Sequence, residues 1–211
     1  MFKDFDLDKI DLKKIEELYS KCLKKYGFQP QSVGWNDEKS HFLRFEKLVQ
    51  VIEDPLVAIT INDLGCGYGA LFSFLVARQF NVSLYRGYDI SQDMLNAAQS
   101  FISDKRAFFI QSNVLLHPAD YSFASGIFNV KFDIDVQVWE KYIIYILNNL
   151  NQFSLKGFAF NLLTTYVDFK RDHLYYGDPL FYFDFCKRYF SKKVSLLHDY
   201  DLFEWTILVK K

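Results

Sequence analysis

The stretch Ile59-Thr60-Ile61-Asn62-Asp63-Leu64-Gly65-Cys66-Gly67-Tyr68-Gly69 decides the fold of this 211-residue chain. Its first half is rich in β-branched residues, which favour a buried strand, and its second half places a glycine at every other position. Glycine lets a ligand lie against bare backbone, because no Cβ intrudes, and it accepts dihedral angles that other residues resist. The stretch therefore predicts a strand that runs into a ligand-binding turn.

Beyond this turn, helical and extended patterns alternate to the end of the chain. Apolar residues at helical spacing follow the turn, and an extended run comes next, which together make one βαβ unit. In all, strands are predicted at 56–64, 83–90, 107–111, 121–128, 157–163, 194–198 and 203–209. The last two are too close for a parallel crossover, so the final strand should be antiparallel to its neighbour. The pattern predicts an α/β fold with a seven-stranded, mostly parallel sheet.

The helices of this fold carry recognisable start signals. Ser91 is placed to cap a helix that begins with the next residues, and Asp178-Pro179 combines an N-cap with proline at the first helical position. A further helix is predicted over 138–150, where apolar residues recur at intervals of four. These helices fall between the predicted strands, as a sheet covered on both faces requires.

The first 54 residues contain no strand pattern and read as two amphipathic helices joined by a loop. Apolar residues at helical spacing run over 10–26 and again over 42–52, and Pro30 and Gly34 lie between them. We therefore divide the chain into a helical N-terminal extension, 1–54, and a ligand-binding domain, 55–211. Nothing in the sheet needs the extension for closure, so we expect it to serve as a lid over the ligand.

Charge and composition exclude several function classes. The 25 Lys and Arg residues are balanced by 26 Asp and Glu residues, so the net charge of -1 provides no field for gathering nucleic acid. No apolar run approaches membrane-spanning length and the N-terminus has no signal-peptide pattern, which favours a soluble, cytoplasmic protein. The three cysteines, Cys22, Cys66 and Cys186, are widely spaced and resemble neither a disulfide framework nor a zinc site.

Two cofactor classes use a glycine turn of this kind. Gly65-x-Gly67-x-x-Ala70 satisfies the dinucleotide pattern, and Asp89 ends the second strand near the distance expected for an acid on a ribose. Asp63, however, places a carboxylate beside the pocket two residues before the first glycine. That carboxylate suits a ligand with an ammonium group and would repel a pyrophosphate.

These residues resemble the class I S-adenosylmethionine-dependent methyltransferases. The stretch 63–69 is similar to the family's first motif, 87–91 to its second, 111–114 to the segment that flanks adenine, and 124–128 to its fourth motif. The resemblance implies a Rossmann-like three-layer sandwich, with S-adenosylmethionine (SAM) as cofactor and S-adenosylhomocysteine (SAH) as product. It also implies the cofactor-binding residues Asp63, Gly65, Cys66, Gly67, Gly69, Asp89, Ile90, Asn113, Val114, Ser125 and Gly126. Asn113 stands where the family usually carries an acid, and its amide oxygen can still accept from the adenine amino group.

The same resemblance bears on the methyl acceptor. Segments 124–129 and 198–205 are similar to small bacterial methyltransferases of natural-product or surface-polysaccharide pathways, which implies a small-molecule acceptor. The fourth motif lacks the Asn-Pro-Pro-Tyr type of sequence that methylases of amino groups use. We therefore expect transfer to oxygen by in-line displacement. A NAD(P)-dependent oxidoreductase and a non-catalytic cofactor-binding protein of the same fold are the alternatives.

Catalytic candidates lie on loops at the carboxyl ends of the later strands, where ligands of open α/β sheets bind. We expect a base among Tyr166, Asp168 and His198 if the acceptor must lose a proton. The alternative is a solvated loop for Asp168 and a strand-end histidine for His198. Asp168, Asp172 and His173 have no firm ligand spacing, so no metal site is predicted.

Arg44 is a further candidate, in the predicted lid. We place it on the polar side of its helix, where it could pair with the methionine carboxylate of the cofactor. An ordinary surface charge is the alternative. Trp35, Asn36 and His41 lie nearby in the sequence and belong to the same expected lid.

Overall fold

The computed structural model describes residues 10–211 and contains a central seven-stranded sheet. Its strand order is β3-β2-β1-β4-β5-β7-β6. Strands β1 to β5 pair in parallel, and β7 runs antiparallel to both β5 and β6. The strands are β1 Ile59–Leu64, β2 Val82–Asp89, β3 Ala107–Gln111, β4 Ala119–Ala124, β5 Ser154–Leu163, β6 Lys193–Leu197 and β7 Glu204–Lys210. The predicted sheet, including its antiparallel last strand, is confirmed.

Helices cover both faces of the sheet and bury two apolar cores. They are α1 Lys13–Tyr26, α2 Glu38–Leu48, α3 Ala70–Ala77, α4 Gln92–Phe101, α5 Val136–Phe153 and α6 Pro179–Tyr189, with 3-10 turns at Pro30–Val33 and Val49–Val51. Residues of α1, α5 and α6 share one core with Phe158 and Phe160 of β5. Residues of α2 and α3 share the other with Ala159, because successive side chains of a strand point to opposite faces.

Local start signals in the sequence operate as predicted. The Ser91 hydroxyl accepts the Met94 N–H at 3.2 Å and caps α4. The Asp178 carboxylate accepts the Leu180 N–H at 2.9 Å, with Pro179 at the first position of α6. Such caps satisfy backbone donors that a helix start leaves without an intrahelical partner.

The start of β1 and the end of β4 differ from the prediction for identifiable reasons. β1 begins at Ile59 and not at Leu56. Leu56 lies with Pro55 in a turn, and its side chain is exposed. β4 ends at Ala124 and not at Phe128, because Gly126 adopts a positive φ of 73° and turns the chain out of the sheet. The turn after β4 therefore lies beside the glycine turn after β1, its neighbour in the sheet.

The N-terminal extension is part of both cores. Ile15 of α1 belongs to the core under α5, and Phe45 and Leu48 of α2 belong to the core under α3. The three cysteines are unpaired. Across residues 10–211, the helices are all too short or too polar to cross a bilayer.

Candidate active site

The glycine turn after β1 is held by backbone contacts. Gly65, Gly67 and Gly69 have φ values of 75°, 54° and 83°, a region that side chains with a Cβ rarely adopt. The N–H groups of Gly65 and Cys66 both donate to the Tyr88 carbonyl of β2, at 2.7 and 3.0 Å. A Cβ added to Gly65 would lie 2.1 Å from Cγ2 of Ile127, in the turn after β4. Glycine is therefore required here by dihedral angle and by space.

A cavity opens over this turn at the carboxyl ends of β1, β2 and β4. Nine of the predicted cofactor-binding residues line it: Asp63, Gly65, Cys66, Gly67, Asp89, Ile90, Asn113, Ser125 and Gly126. Two others, Gly69 and Val114, do not line it. Gly69 precedes α3, and the carbonyl of Val114 accepts a hydrogen bond from Ser112, which does line the cavity.

Asp89 ends β2 and organises the turn. Its carboxylate accepts the Gly67 N–H on Oδ2 and the Ser91 N–H on Oδ1, both at 2.9 Å. Burial raises the pKa of Asp89 to about 6, although the hydrogen bonds from Ser91 and Gly67 oppose that shift. A carboxylate can accept about four hydrogen bonds, so capacity remains for hydroxyl groups of a ligand.

Asp63 lies at the end of β1, buried with 3% of its surface exposed. Burial raises the pKa of its carboxyl to about 7, and a hydrogen bond from the Tyr85 hydroxyl, at 2.5 Å, opposes the shift. Asp63 is therefore poised between its neutral and ionised forms near pH 7. A cationic ligand group in the cavity would favour the ionised form.

Cys66 is buried, and that burial, with the nearby Asp89 and Asp63 carboxyl groups, raises the pKa of its thiol well above the ordinary value. A nucleophilic cysteine needs a depressed pKa. The side chain instead packs between β1 and β2, where a Cβ added to Gly87 would meet its sulfur at 2.7 Å. Cys66 is therefore a small buried packing residue and not a nucleophile.

The N-terminal extension covers the cavity. Residues in or next to α1, the first 3-10 turn and α2 line it: Leu12, Ile15, Tyr19, Val33, Trp35, His41 and Phe45. Val33 lies over Gly67 and Trp35 over Gly126, since an added Cβ would approach these side chains to 2.7 and 2.5 Å. Sequence reasoning had singled out Trp35 and His41 but missed Tyr19, and also Trp139 and Tyr142 of α5. No motif identified these residues, which read as ordinary apolar positions of helices.

His41 contributes an imidazole to the cavity wall. It is 3% exposed and packs against the ring of Phe45, with ring centroids 4.5 Å apart. Burial, together with the Arg44 charge, lowers the pKa of His41 to about 3. The imidazole is therefore neutral near pH 7, with one nitrogen able to donate a hydrogen bond and one able to accept.

The expectation that Arg44 lies on the polar side of its helix is wrong. Its side chain is buried, and its guanidinium forms an ion pair with Glu204 of β7 and stacks on Trp35. His41, Arg44, Phe45 and Leu48 form the buried face of α2. The guanidinium thus lies outside the cavity wall, and pairing with a cofactor carboxylate would require it to leave Glu204.

The structure does not bring the predicted catalytic residues into the cavity wall. Tyr166, Asp168 and His198 are exposed, and the rings of Tyr166 and His198 lie 5.7 Å apart outside it. Across residues 10–211, no three His, Cys, Asp or Glu side chains converge to form a set that could hold a metal ion. The catalytic role of the three residues stays a prediction.

No family model matches the chain. A Mycobacterium tuberculosis protein named putative methyltransferase is 50% identical over 155 residues, which make up 72% of this chain and 93% of that protein. Magnesium protoporphyrin IX methyltransferase from Synechocystis PCC 6803, with bound SAH, superposes with a TM-score of 0.70 at 12% identity and covers 95% of this chain and 100% of its own. Human N-acetylserotonin methyltransferase in complex with SAM superposes with a TM-score of 0.64 at 13% identity and covers 97% of this chain and 61% of its own. The two structures show a shared fold.

Proposed function

Because the chain belongs to the S-adenosylmethionine-dependent methyltransferases, we propose that it methylates a small, uncharged molecule at an oxygen atom. The relative from Mycobacterium tuberculosis confirms the family assignment made from the sequence motifs. The oxidoreductase alternative is therefore set aside. The nature of the acceptor is the part of this proposal that goes beyond the family.

The cavity supports the proposed placement of the cofactor. Two carboxyl groups with raised pKa values, Asp63 and Asp89, line it beside a turn whose glycines leave backbone open to a ligand. In this placement Asp89 accepts from the ribose hydroxyls and Asp63 faces the ammonium group. Asn113 then lies beside adenine, and Ser125 and Gly126 lie beside the methionine part. The Ser125 hydroxyl is buried with no hydrogen-bond partner among the described residues, as expected of a group that a ligand completes.

The character of the cavity wall carries the proposal on the acceptor. Across the described residues, the wall contains no lysine and no arginine, and its charged groups are Asp63 and Asp89. An anionic acceptor would find no cation there, whereas the aromatic wall suits an uncharged, largely apolar molecule. That wall consists of Tyr19, Trp35, Phe45, Trp139 and Tyr142.

Sheet order indicates which end of the cavity receives the acceptor. In the proposed placement the cofactor crosses the carboxyl ends of β2 and β1 with its methionine part near β4, which leaves the space beyond β4, under Trp35 and α2, for an acceptor. When bound, the cofactor supplies an electrophilic sulfonium methyl group, and the chain must align an oxygen with it and exclude water. Trp35 and Phe45 exclude water at this end, and neutral His41 can hold an acceptor hydroxyl by a hydrogen bond.

We also propose that the N-terminal extension, 1–54, acts as a lid on the cofactor domain, 55–211. Support comes from Val33 and Trp35, which lie over the glycine turn and over the turn after β4. Ile15 of α1 and the second half of α2 are buried in the cores, so movement would be confined to the segment between them. Tyr166, Asp168 and His198 remain proposed contributors to catalysis from the loops at the same end of the sheet.

Calorimetry followed by an acceptor screen tests the proposal. SAH should bind and NADH should not. Labelled SAM is then incubated with matched sets of phenols, alcohols, amines and carboxylic acids, and SAH formation is measured together with methylated product by mass spectrometry. We expect hydroxyl compounds to be methylated, with a methyl-capped analogue of the best acceptor inert. Preferential methylation of amines or carboxylic acids would overturn the acceptor assignment.

A further inference from the structure

A buried ion pair links the N-terminal extension to the last strand of the sheet. Arg44 Nε donates to both carboxylate oxygens of Glu204, at 3.0 and 2.9 Å, and Nη2 donates to Oε1 at 2.6 Å. Arg44 Nη1 is occupied by the Ser40 carbonyl at 2.7 Å. The side chains of Arg44 and Glu204 are 8% and 1% exposed, so the whole contact is removed from water.

Both ends of this pair extend to the cavity. The guanidinium carbon of Arg44 lies 3.6 Å from the centroid of the Trp35 ring, whose edge covers Gly126. Glu204 accepts from Nδ2 of Asn161 at 3.2 Å, and Oδ1 of Asn161 accepts the Gly126 N–H at 2.7 Å. Trp35, Arg44, Glu204, Asn161 and Gly126 thus form a closed ring of contacts. We call it the Trp35–Gly126 ring.

Three members of this ring do not line the cavity: Arg44, Glu204 and Asn161. The other two, Trp35 and Gly126, do line it and are in contact with each other. A buried ion pair contributes little net stability, because desolvation of both charges offsets their attraction. Apolar residues of similar volume often stabilise such a site equally well, so stability alone does not account for a charged pair at this position.

We propose that Arg44, Glu204 and Asn161 are positioning residues that fix Trp35 against the Gly126 turn and so shape the methionine end of the cofactor pocket. This inference rests on the proposed placement of the cofactor. Glu204 holds the guanidinium that supports the Trp35 ring, and through Asn161 it also sets the direction of the Gly126 N–H. A single carboxylate on β7 therefore controls both walls of one end of the cavity without touching a ligand.

Replacement of the ion pair by apolar residues tests this role. In Arg44→Met/Glu204→Leu, packing volume is retained and no charge is left buried, so the melting temperature without ligand should stay close to that of the unaltered protein. SAH affinity, measured by calorimetry, should nevertheless fall about tenfold or more, with faster SAH dissociation in stopped-flow experiments. Asp184→Asn is the matched control, because it breaks an Arg188–carboxylate pair that lies at the surface. It should leave SAH affinity unchanged.

Asn161→Ala keeps the inference testable if the double variant folds poorly. It removes the acceptor of the Gly126 N–H and leaves the ion pair in place, so amide hydrogen exchange at Gly126 should accelerate as SAH affinity falls. Unchanged SAH affinity in folded variants of both kinds would overturn the positioning role. Failure of the unaltered protein to bind SAH would instead overturn the proposed placement of the cofactor, and the two failures are therefore distinguishable.

Discussion

The glycine turn and the N-terminal cover form opposite walls of one cavity, yet they are built in different ways. The turn is fixed by near neighbours along the chain, since Gly65 and Cys66 bond to Tyr88 and Gly67 bonds to Asp89. The cover is fixed by a partner at the other end of the chain, since Arg44 binds Glu204. The conformation of the glycine turn is thus encoded locally, while the position of Trp35 over Gly126 depends on how distant segments meet.

The largest effect is expected from Gly65→Ala, which alters the glycine turn. A methyl group here would lie 2.1 Å from Ile127 at a φ of 75°. Left-handed backbone costs roughly 1–2 kcal/mol and overpacking about 1–3 kcal/mol, so the free energy of unfolding should fall by roughly 2–5 kcal/mol in a denaturant titration. SAH binding should fall below detection by calorimetry.

Gly27→Ala is the control for the backbone contribution alone. Gly27 has a φ of 60° and nothing within 4 Å of an added Cβ. Its ψ of -141° places it in a region that other residues rarely adopt, so the free energy of unfolding should fall by about 1–3 kcal/mol, and SAH affinity should be unchanged. Equal effects of the two substitutions would show that crowding by Ile127 plays no part.

Asp89→Asn should produce the next largest effect. The amide offers one acceptor oxygen in place of two, so one of the Gly67 and Ser91 N–H groups would face an NH₂ group. Loss of hydrogen bonds to a charged group costs about 1.5–3 kcal/mol, so SAH affinity should fall roughly 10- to 100-fold in calorimetry. Asp93→Asn, in the first turn of α4 and outside the cavity wall, should leave affinity unchanged.

A smaller effect on SAH affinity is expected from a change of pH, because the Asp63 carboxyl changes its protonation. Its pKa of about 7 in the folded protein means that the carboxyl is largely protonated below that pH, and an ammonium group favours its ionised form. SAH affinity should therefore rise as pH increases from about 5.5 to about 7.5, with proton release detectable by calorimetry in buffers of different ionisation enthalpy. Because Asp89, with a pKa of about 6, ionises over the same range, the part of the rise that Asp63→Asn removes is the part due to Asp63. In Tyr85→Phe, loss of the hydrogen bond to Asp63 should move this rise to higher pH.

The same raised pKa determines how the stability of the ligand-free protein changes with pH. In the unfolded chain the carboxyl of Asp63 ionises near its ordinary value of 3.8, while in the folded protein it keeps its proton up to about 7. Stability contributed by the protonated form is thus present below about pH 4 and is lost as pH rises to about 7. Asp63→Asn should remove this part of the pH dependence, and an unaltered profile would contradict the assignment.

The smallest effect on cofactor affinity is expected from His41→Phe, at the wall built by distant contacts. The substitution keeps an aromatic ring and removes the nitrogens, so SAH affinity should stay within about twofold while turnover of the acceptor found by screening falls about tenfold. Because the pKa of His41 is about 3, the unaltered enzyme should show no ionisation of this residue in its pH–rate profile near neutrality. His198→Ala should lower turnover less, and the reverse order would favour His198 as the catalytic histidine.

Sequence patterns predicted the features that depend on local chemistry. The strand before Gly65, the caps Ser91 and Asp178, and the antiparallel final strand are each determined by residues close together in the chain. Prediction failed for the face of α2. Its apolar residues suggested a buried stripe that excluded Arg44, whereas Arg44 is buried because Glu204, 160 residues away, neutralises it. Hydrophobic periodicity cannot identify a buried charge whose partner lies on another element.

Trp35 has a practical consequence for identifying the acceptor. Trp139 and Trp205 are fully buried, with their ring N–H groups bonded to the carbonyls of Phe128 and Gly177. Trp35 alone of the three tryptophans combines partial exposure with a place beside Gly126 in the cavity wall. The difference in fluorescence emission between the unaltered protein and Trp35→Phe should therefore isolate an indole that reports on whatever enters the cavity. Trp35 fluorescence can therefore be used to rank candidate acceptors by binding affinity in titrations before any reaction is detected.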